Sequence, residues 1–90
     1  MDTASVQALV ERNHKHVLQL RMGMPQAEVH AVMGDPEASE GYAWGAAWLY
    51  RTAVPTTPQG TAAEWTPVVF NEQGILIGWG RHVLAERRER

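Results

Sequence analysis

The sequence predicts an α+β fold of order ααβββ, with two helices packed on one face of a three-stranded antiparallel meander. Three observations point there. Apolar residues recur at helical spacing between Thr3 and Met33. From Tyr42 the period changes to two, with Tyr42, Trp44, Ala46, Trp48 and Tyr50 alternating with Ala43, Gly45, Ala47 and Leu49. Two further apolar runs flank Asn71-Glu72-Gln73-Gly74, a hairpin turn in which Asn71 opens a type I turn and Gly74 takes the left-handed conformation of a following bulge. Ninety residues hold one domain with a single core.

Thr3 to Leu20 reads as the first helix. Thr3 is placed to act as N-cap, and Val6, Leu9, Val10, Val17 and Leu18 form its apolar stripe, interrupted by Asn13. Met22-Gly23 breaks it. The second helix runs from about Pro25 to Met33: proline is tolerated in a first turn, and Glu28 sits near the positive end of the helix dipole. Ala27, Val29, Val32 and Met33 are its buried stripe, Gly34 its C-cap, and Pro36 forbids continuation. Glu37 to Gly41 reads as a polar connection. Strand one follows from about Ala46 to Thr52, then a Pro-rich hairpin loop from Val54 to Gly60, strand two from Ala63 to Phe70, and strand three from Ile75 to Val83. The nitrogen of Pro67, lacking a proton, should face a bulge or a non-bonded position. Gly78 and Gly80 leave room for something to lie close to the sheet. Ala85 to Arg90 is a charged tail, helical or frayed.

The hairpin register fixes the faces. It sets Phe70 opposite Leu76, Val69 opposite Ile77, Val68 opposite Gly78 and Pro67 opposite Trp79. One face then carries Val68, Phe70 and Leu76, and the other carries Trp65, Val69, Ile77 and Trp79. With Trp48, Tyr50 and Phe70 under the helices, the second face needs a cover: a partner, a second copy or the N-terminal segment. Large aromatics concentrated there approach or exceed what a monomer commonly leaves exposed in one patch. The expected partner-binding strip is therefore Trp65, Pro67, Val69, Ile77 and Trp79.

The charges argue against nucleic acid. Residues 81–90 hold four Arg and two Glu, a surplus of +2, and the other 80 residues hold four cations and eight carboxylates, a surplus of −4. No basic stripe interleaves with aromatics. With no cysteine there are no disulfides, thiolate metal sites or Cys nucleophiles. No apolar run spans a bilayer, and residues 1–8 lack signal-peptide character, so either the protein is cytosolic or a leader preceded Met1. His14 and His16 point about 200° apart on a helix, and His30 and His82 lie on other elements, so no metal site is expected. Glu28 reads as a dipole partner rather than a general base. No catalytic residues and no cofactor are predicted.

One family resemblance adds to this. Leu20-Arg-Met-Gly-Met-Pro-Gln-Ala-Glu-Val29, Gly34-Asp-Pro36, Trp48-Leu-Tyr50 and Pro67-Val-Val-Phe…Gly74-Ile-Leu…Gly78-Trp79 resemble the BamE-like (SmpA/OmlA) domain of small outer-membrane lipoproteins. Their fold is similar to the unit from which the β-lactamase inhibitory protein is built. The resemblance covers about Leu20 to Trp79 and rests on Gly23, Met24, Val29, Gly34, Pro36, Trp48, Tyr50, Phe70, Gly74 and Leu76. Pro25 stands where the family usually has a Ser or Thr cap, and the lipidated cysteine is absent. The chain divides accordingly into an N-terminal helix (1–19), a family-like unit (20–84) and a charged tail (85–90) of one domain.

The resemblance implies a non-enzymatic protein-interaction domain of the bacterial cell envelope, an accessory of outer-membrane β-barrel assembly or of envelope integrity. It implies barrel-assembly components as partners and the periplasmic face of the outer membrane as location, with membrane contact only through a lipid anchor this chain lacks. The alternative is a cytosolic or secreted inhibitor-like module that binds a protein or itself through its aromatic sheet face. A homodimer or domain-swapped dimer is expected at high concentration, hinged at residues 54–60 or 37–41.

Overall fold

The computed structural model describes residues 3–53 and 65–88. In chain order the elements are α1 (Thr3–Val17), α2 (Gln26–Met33), β1 (Ala38–Tyr42), β2 (Gly45–Arg51), β3 (Trp65–Asn71), β4 (Leu76–Trp79) and α3 (Arg81–Arg88). The class is α+β, as expected. The finer order is corrected: among the described residues the sheet has four antiparallel strands, β1-β2-β3-β4, and a third helix follows it.

α1 stops at Val17, three residues short of the expected end. The chain there tightens into turns, with the Gln19 N–H on the His16 carbonyl at 2.9 Å and the Leu20 N–H on the Val17 carbonyl at 3.2 Å. Leu18 therefore leaves the helical stripe and points to solvent. α2 follows its signals closely: Pro25 is an extended N-cap without a side-chain cap bond, and the Gly34 N–H closes the last turn on the His30 carbonyl at 2.8 Å.

Most of the expected connection Glu37–Gly41 is instead strand: Glu37 remains in the connection, and β1 pairs with β2 from Ala38↔Leu49 to Tyr42↔Gly45. Four of its five residues are exposed. A strand that buries neither face needs no apolar alternation, so pairing holds it and the composition does not announce it. Residues 43–44 make the hairpin turn, which interrupts the alternation that seemed to begin at Tyr42. Of the two expected hinges, the one at 37–41 is largely strand, with Ala38–Gly41 paired to β2, and the loop at 54–60 lies outside the described residues.

The Asn71 turn forms as expected. The Asn71 side-chain oxygen accepts from the Gln73 and Ile75 N–H groups, both at 3.0 Å, and Gly74 has φ 75°. That left-handed conformation is where glycine is preferred. Phe70 faces Leu76, but beyond it the register departs from the expected one: Val69 pairs with Gly78 and Val68 with Trp79. Ile77 is the extra residue of a bulge. One inserted residue reverses the faces downstream of it. β4 ends at Trp79 instead of reaching Val83, because Gly80 leads into α3, which also takes in the boundary expected at 84–85. Pro67 behaves as expected. Its carbonyl accepts from the Gly80 N–H at 2.9 Å, so its nitrogen turns toward the side where β4 has already ended.

Two apolar clusters result. On the α1/α2 side, Leu20, Met24, Val29, Met33, Tyr50, Val68, Phe70 and Leu76 are buried, with Trp48 and Trp79 packed against them. Full burial of each aliphatic or aromatic side chain stabilises by about 1.5–3 kcal/mol. On the other side, Ala47, Val69 and Leu84 are buried, flanked by Tyr42, Trp44, Ile77 and Val83. The cover of the second face is thus α3, a C-terminal element, and not one of the covers the sequence suggested. The room at Gly78 is used by it: a Cβ there would lie 3.1 Å from Val83 Cγ1.

Candidate interaction surface

The five residues expected to form one apolar strip do not do so. Trp79 lies on the α1/α2 side, turned there by the bulge at Ile77. Val69 is 0% exposed beneath α3, Pro67 is buried, and Ile77 is half-buried against the same helix. Trp65 is half-buried at the start of β3. By contrast, the residues that carry the family resemblance converge. Met24, Val29, Tyr50, Phe70 and Leu76 share one core with Trp48 on its edge, Gly34 caps α2 beside them, and Gly74 makes the hairpin.

Trp65 is held from two sides. Its ring lies under the Arg51 guanidinium, 4.5 Å from the centroid, and its indole N–H donates to Glu37 Oε2. Arg51 Nε in turn donates to Glu37 Oε1 at 3.3 Å. Cation–π contact and a charge-assisted bond on one ring fix its orientation before anything binds. Sequence periodicity does not show this trio, because Glu37 lies in the connection before β1 and its partners lie 14 and 28 positions away. Pairing Arg51 with Trp65 and Ala38 with Leu49 is what brings the three together.

Beside Trp65, between α3 and the sheet, lies a cleft of about 360 Å³. Leu49, Pro67 and Leu84 give it apolar walls, and Glu40 of β1 and Arg81 of α3 set opposite charges on its margin. Neither charge was singled out by the sequence. A second, polar hollow of about 420 Å³ opens between the two hairpin turns at Gln26, Tyr42, Asn71 and Glu72. A third, of about 240 Å³, lies among Met22, Ile77, Trp79 and Val83. Met22 is 70% exposed, and Leu18 is 84% exposed.

The histidines serve elsewhere. His30 Nε2 meets Asp35 Oδ1 at 2.6 Å on the surface, and His14 Nε2 contacts the Thr52 carbonyl oxygen. Among the described residues, no three His, Asp or Glu side chains are grouped to hold a metal ion. No helix among them is long and apolar enough to cross a membrane. Glu28 lies exposed in the first turn of α2.

A family model described as "Protein of unknown function (DUF3192)" matches residues 2–86. No curated protein and no solved structure matches the chain.

Proposed function

The chain belongs to the DUF3192 family, and from that premise we propose that it is a non-enzymatic protein-interaction domain of the bacterial cell envelope, BamE-like and an accessory of outer-membrane β-barrel assembly. The observation that carries the interaction part is Trp65. It is an aromatic side chain fixed by Arg51 and Glu37 at the mouth of an apolar cleft with charges on its margin. Interface anchors are aromatic residues of this kind, seated in apolar pockets and surrounded by polar rims. An anchor already held in place loses little conformational entropy on binding. The envelope part rests on the BamE-like motif residues, whose convergence on one core and one pair of glycine-marked turns supports it.

The test is site-specific cross-linking in bacteria. A photo-reactive residue at exposed Ala85, on the margin of the cleft, is expected to capture a barrel-assembly component in the envelope fraction. Trp65→Ala should weaken that capture by about 30-fold, the equivalent of roughly 2 kcal/mol. Capture confined to cytosolic proteins would overturn the envelope reading, and capture indifferent to Trp65→Ala would overturn the cleft.

A second reading is self-association, favoured by the exposure of Leu18 and Met22. Sedimentation of Leu18→Ser/Met22→Ser beside the parent decides it: a parent dimer that the double variant abolishes supports it, and a monomeric parent at millimolar concentration excludes it.

A further inference from the structure

We infer that β1 is a docking edge for an extended segment of another polypeptide, which adds to the sheet as a fifth strand beside Ala38–Gly41. The inference rests on the cleft beside Trp65 being an interaction site, and it names the class of partner: an extended strand with an apolar side chain at the cleft and Lys or Arg opposite Glu40.

The two edges of the sheet are unlike. The β4 edge is closed by the chain itself. The Gly23 N–H donates to the Leu76 carbonyl at 2.9 Å, the Leu76 N–H to the Met24 carbonyl at 2.8 Å, and the Gln26 N–H to the Gly74 carbonyl at 3.0 Å. Pro25 and Ile75 complete an isolated bridge there. Among the described residues β1 has a strand neighbour only in β2, and Ala38, Ser39, Glu40 and Gly41 are all exposed.

Open edges are usually protected by proline, charged side chains, a bulge or a covering element. Ala38–Tyr42 carries one charge, Glu40, which turns away like-charged strands and admits cationic ones; it contains neither proline nor lysine, and its five pairs with β2 run without a register break. Ala38, Ser39 and Gly41 are small, so their side chains leave the backbone open to an incoming strand. This is the layout of strand addition, in which main-chain bonds supply affinity and a neighbouring pocket reads alternate side chains.

The cleft supplies that pocket. Ala38, Glu40 and Tyr42 pair with Leu49, Ala47 and Gly45, which puts them on the α3 side of the sheet. A strand added beyond β1 lies about 4.8 Å farther out, and alternate side chains point to the same side. One of them is placed to reach across Ala38 to Leu49 and Trp65. Its cross-strand neighbour at Glu40 favours a cation.

Charge also argues against a second copy as the occupant. Flush antiparallel pairing of β1 with itself sets Ala38 opposite Tyr42 and Glu40 directly opposite Glu40. Like charges in that position are destabilising.

The experiment is an NMR titration of the ¹⁵N-labelled chain with two capped peptides of alternating threonine and valine, one with a central lysine and one with a central glutamate. The lysine peptide should shift the Ala38–Gly41 amides and bind about three- to tenfold tighter than the glutamate peptide. Glu40→Lys should reverse that order. The same lysine titration of Trp65→Ala reads the cleft separately. Equal affinity for both peptides, no shift at 38–41 at millimolar peptide, or shifts at 38–41 that appear on raising protein concentration alone overturns strand addition. Shifts confined to the Trp65 indole and Leu84 also overturn it while leaving the cleft intact. Silence at both sites removes the cleft reading as well.

Discussion

The hydroxyl of Tyr50 donates to the carbonyl of Gly34 at 2.8 Å, tying the middle of the sheet to the end of α2. Tyr50 is 1% exposed, so water does not replace that bond. Tyr50→Phe keeps the ring and removes the donor. It should cost about 1–2 kcal/mol of stability, read as a lower urea midpoint with unchanged slope.

The same residue gives the protein an alkaline limit. Burial, reinforced by the Asp35 carboxylate and opposed by Arg12, raises the Tyr50 pKa from 10.0 to about 12. Between those values the folded chain keeps a proton the unfolded chain has lost, so stability falls as pH rises through that window and is full below it. Midpoints measured across the window should decline in the parent. That component should be missing in Tyr50→Phe.

Trp79 and Trp65 should separate cleanly. Trp79 packs with the larger core, opposite Val68, so Trp79→Ala should destabilise by about 2–4 kcal/mol. Trp65→Ala should cost under about 1.5 kcal/mol, since its ring is half-exposed at a margin. Thermal melts of the two variants check this, and a Trp79→Ala variant as stable as the parent would contradict the bulged register.

Asn13 is 1% exposed and donates through Nδ2 to the Arg51 carbonyl at 2.8 Å, while its Oδ1 accepts from Arg12 at 3.3 Å. Asn13→Ala removes the bond to the Arg51 carbonyl and leaves a void at a buried site, and should cost about 1–3 kcal/mol. Asn13→Leu, though more apolar, should be no better by the same midpoint measurement.

Gly78→Val should loosen α3 from the sheet. The added side chain meets Val83 at a φ of 155°, so either the helix shifts or the strand strains. A loss of about 1–3 kcal/mol is expected. Near-ultraviolet dichroism of the Tyr42–Trp44 pair, whose rings stack 4.8 Å apart on that side, should change with it.

What the sequence showed depended on how far each signal reaches. Gly34, Pro36 and Gly74 act within a few residues, and the elements they bound stand where expected. The helix-side core followed from the same periodicities. β1 was missed because four of its five residues are exposed and show no apolar alternation. Asn13 looked like a flaw in an apolar stripe, because a partner 38 positions away in sequence is invisible to periodicity. Trp79 was placed on the wrong face because nothing in Ile75-Leu76-Ile77 distinguishes a regular strand from one carrying an extra residue, and the cover over the rest of the strip is a helix read as strand and tail. Trp65 was identified by type, but Glu37, Glu40, Arg51 and Arg81 converge on it only through strand pairing and a helix read as strand and tail.

Among the described residues, the buried apolar cluster on one side of the sheet has eight members and that on the other side three. Layers so unequal need not open together. Amide hydrogen exchange should therefore show α3 as its own cooperative unit, exchanging through an opening that leaves α2 and β3 protected. Because Arg81, Leu84 and Ala85 line the cleft, that opening takes one wall of it away. Any occupant that needs the wall binds only the closed population, and its apparent affinity carries the free energy of holding α3 down.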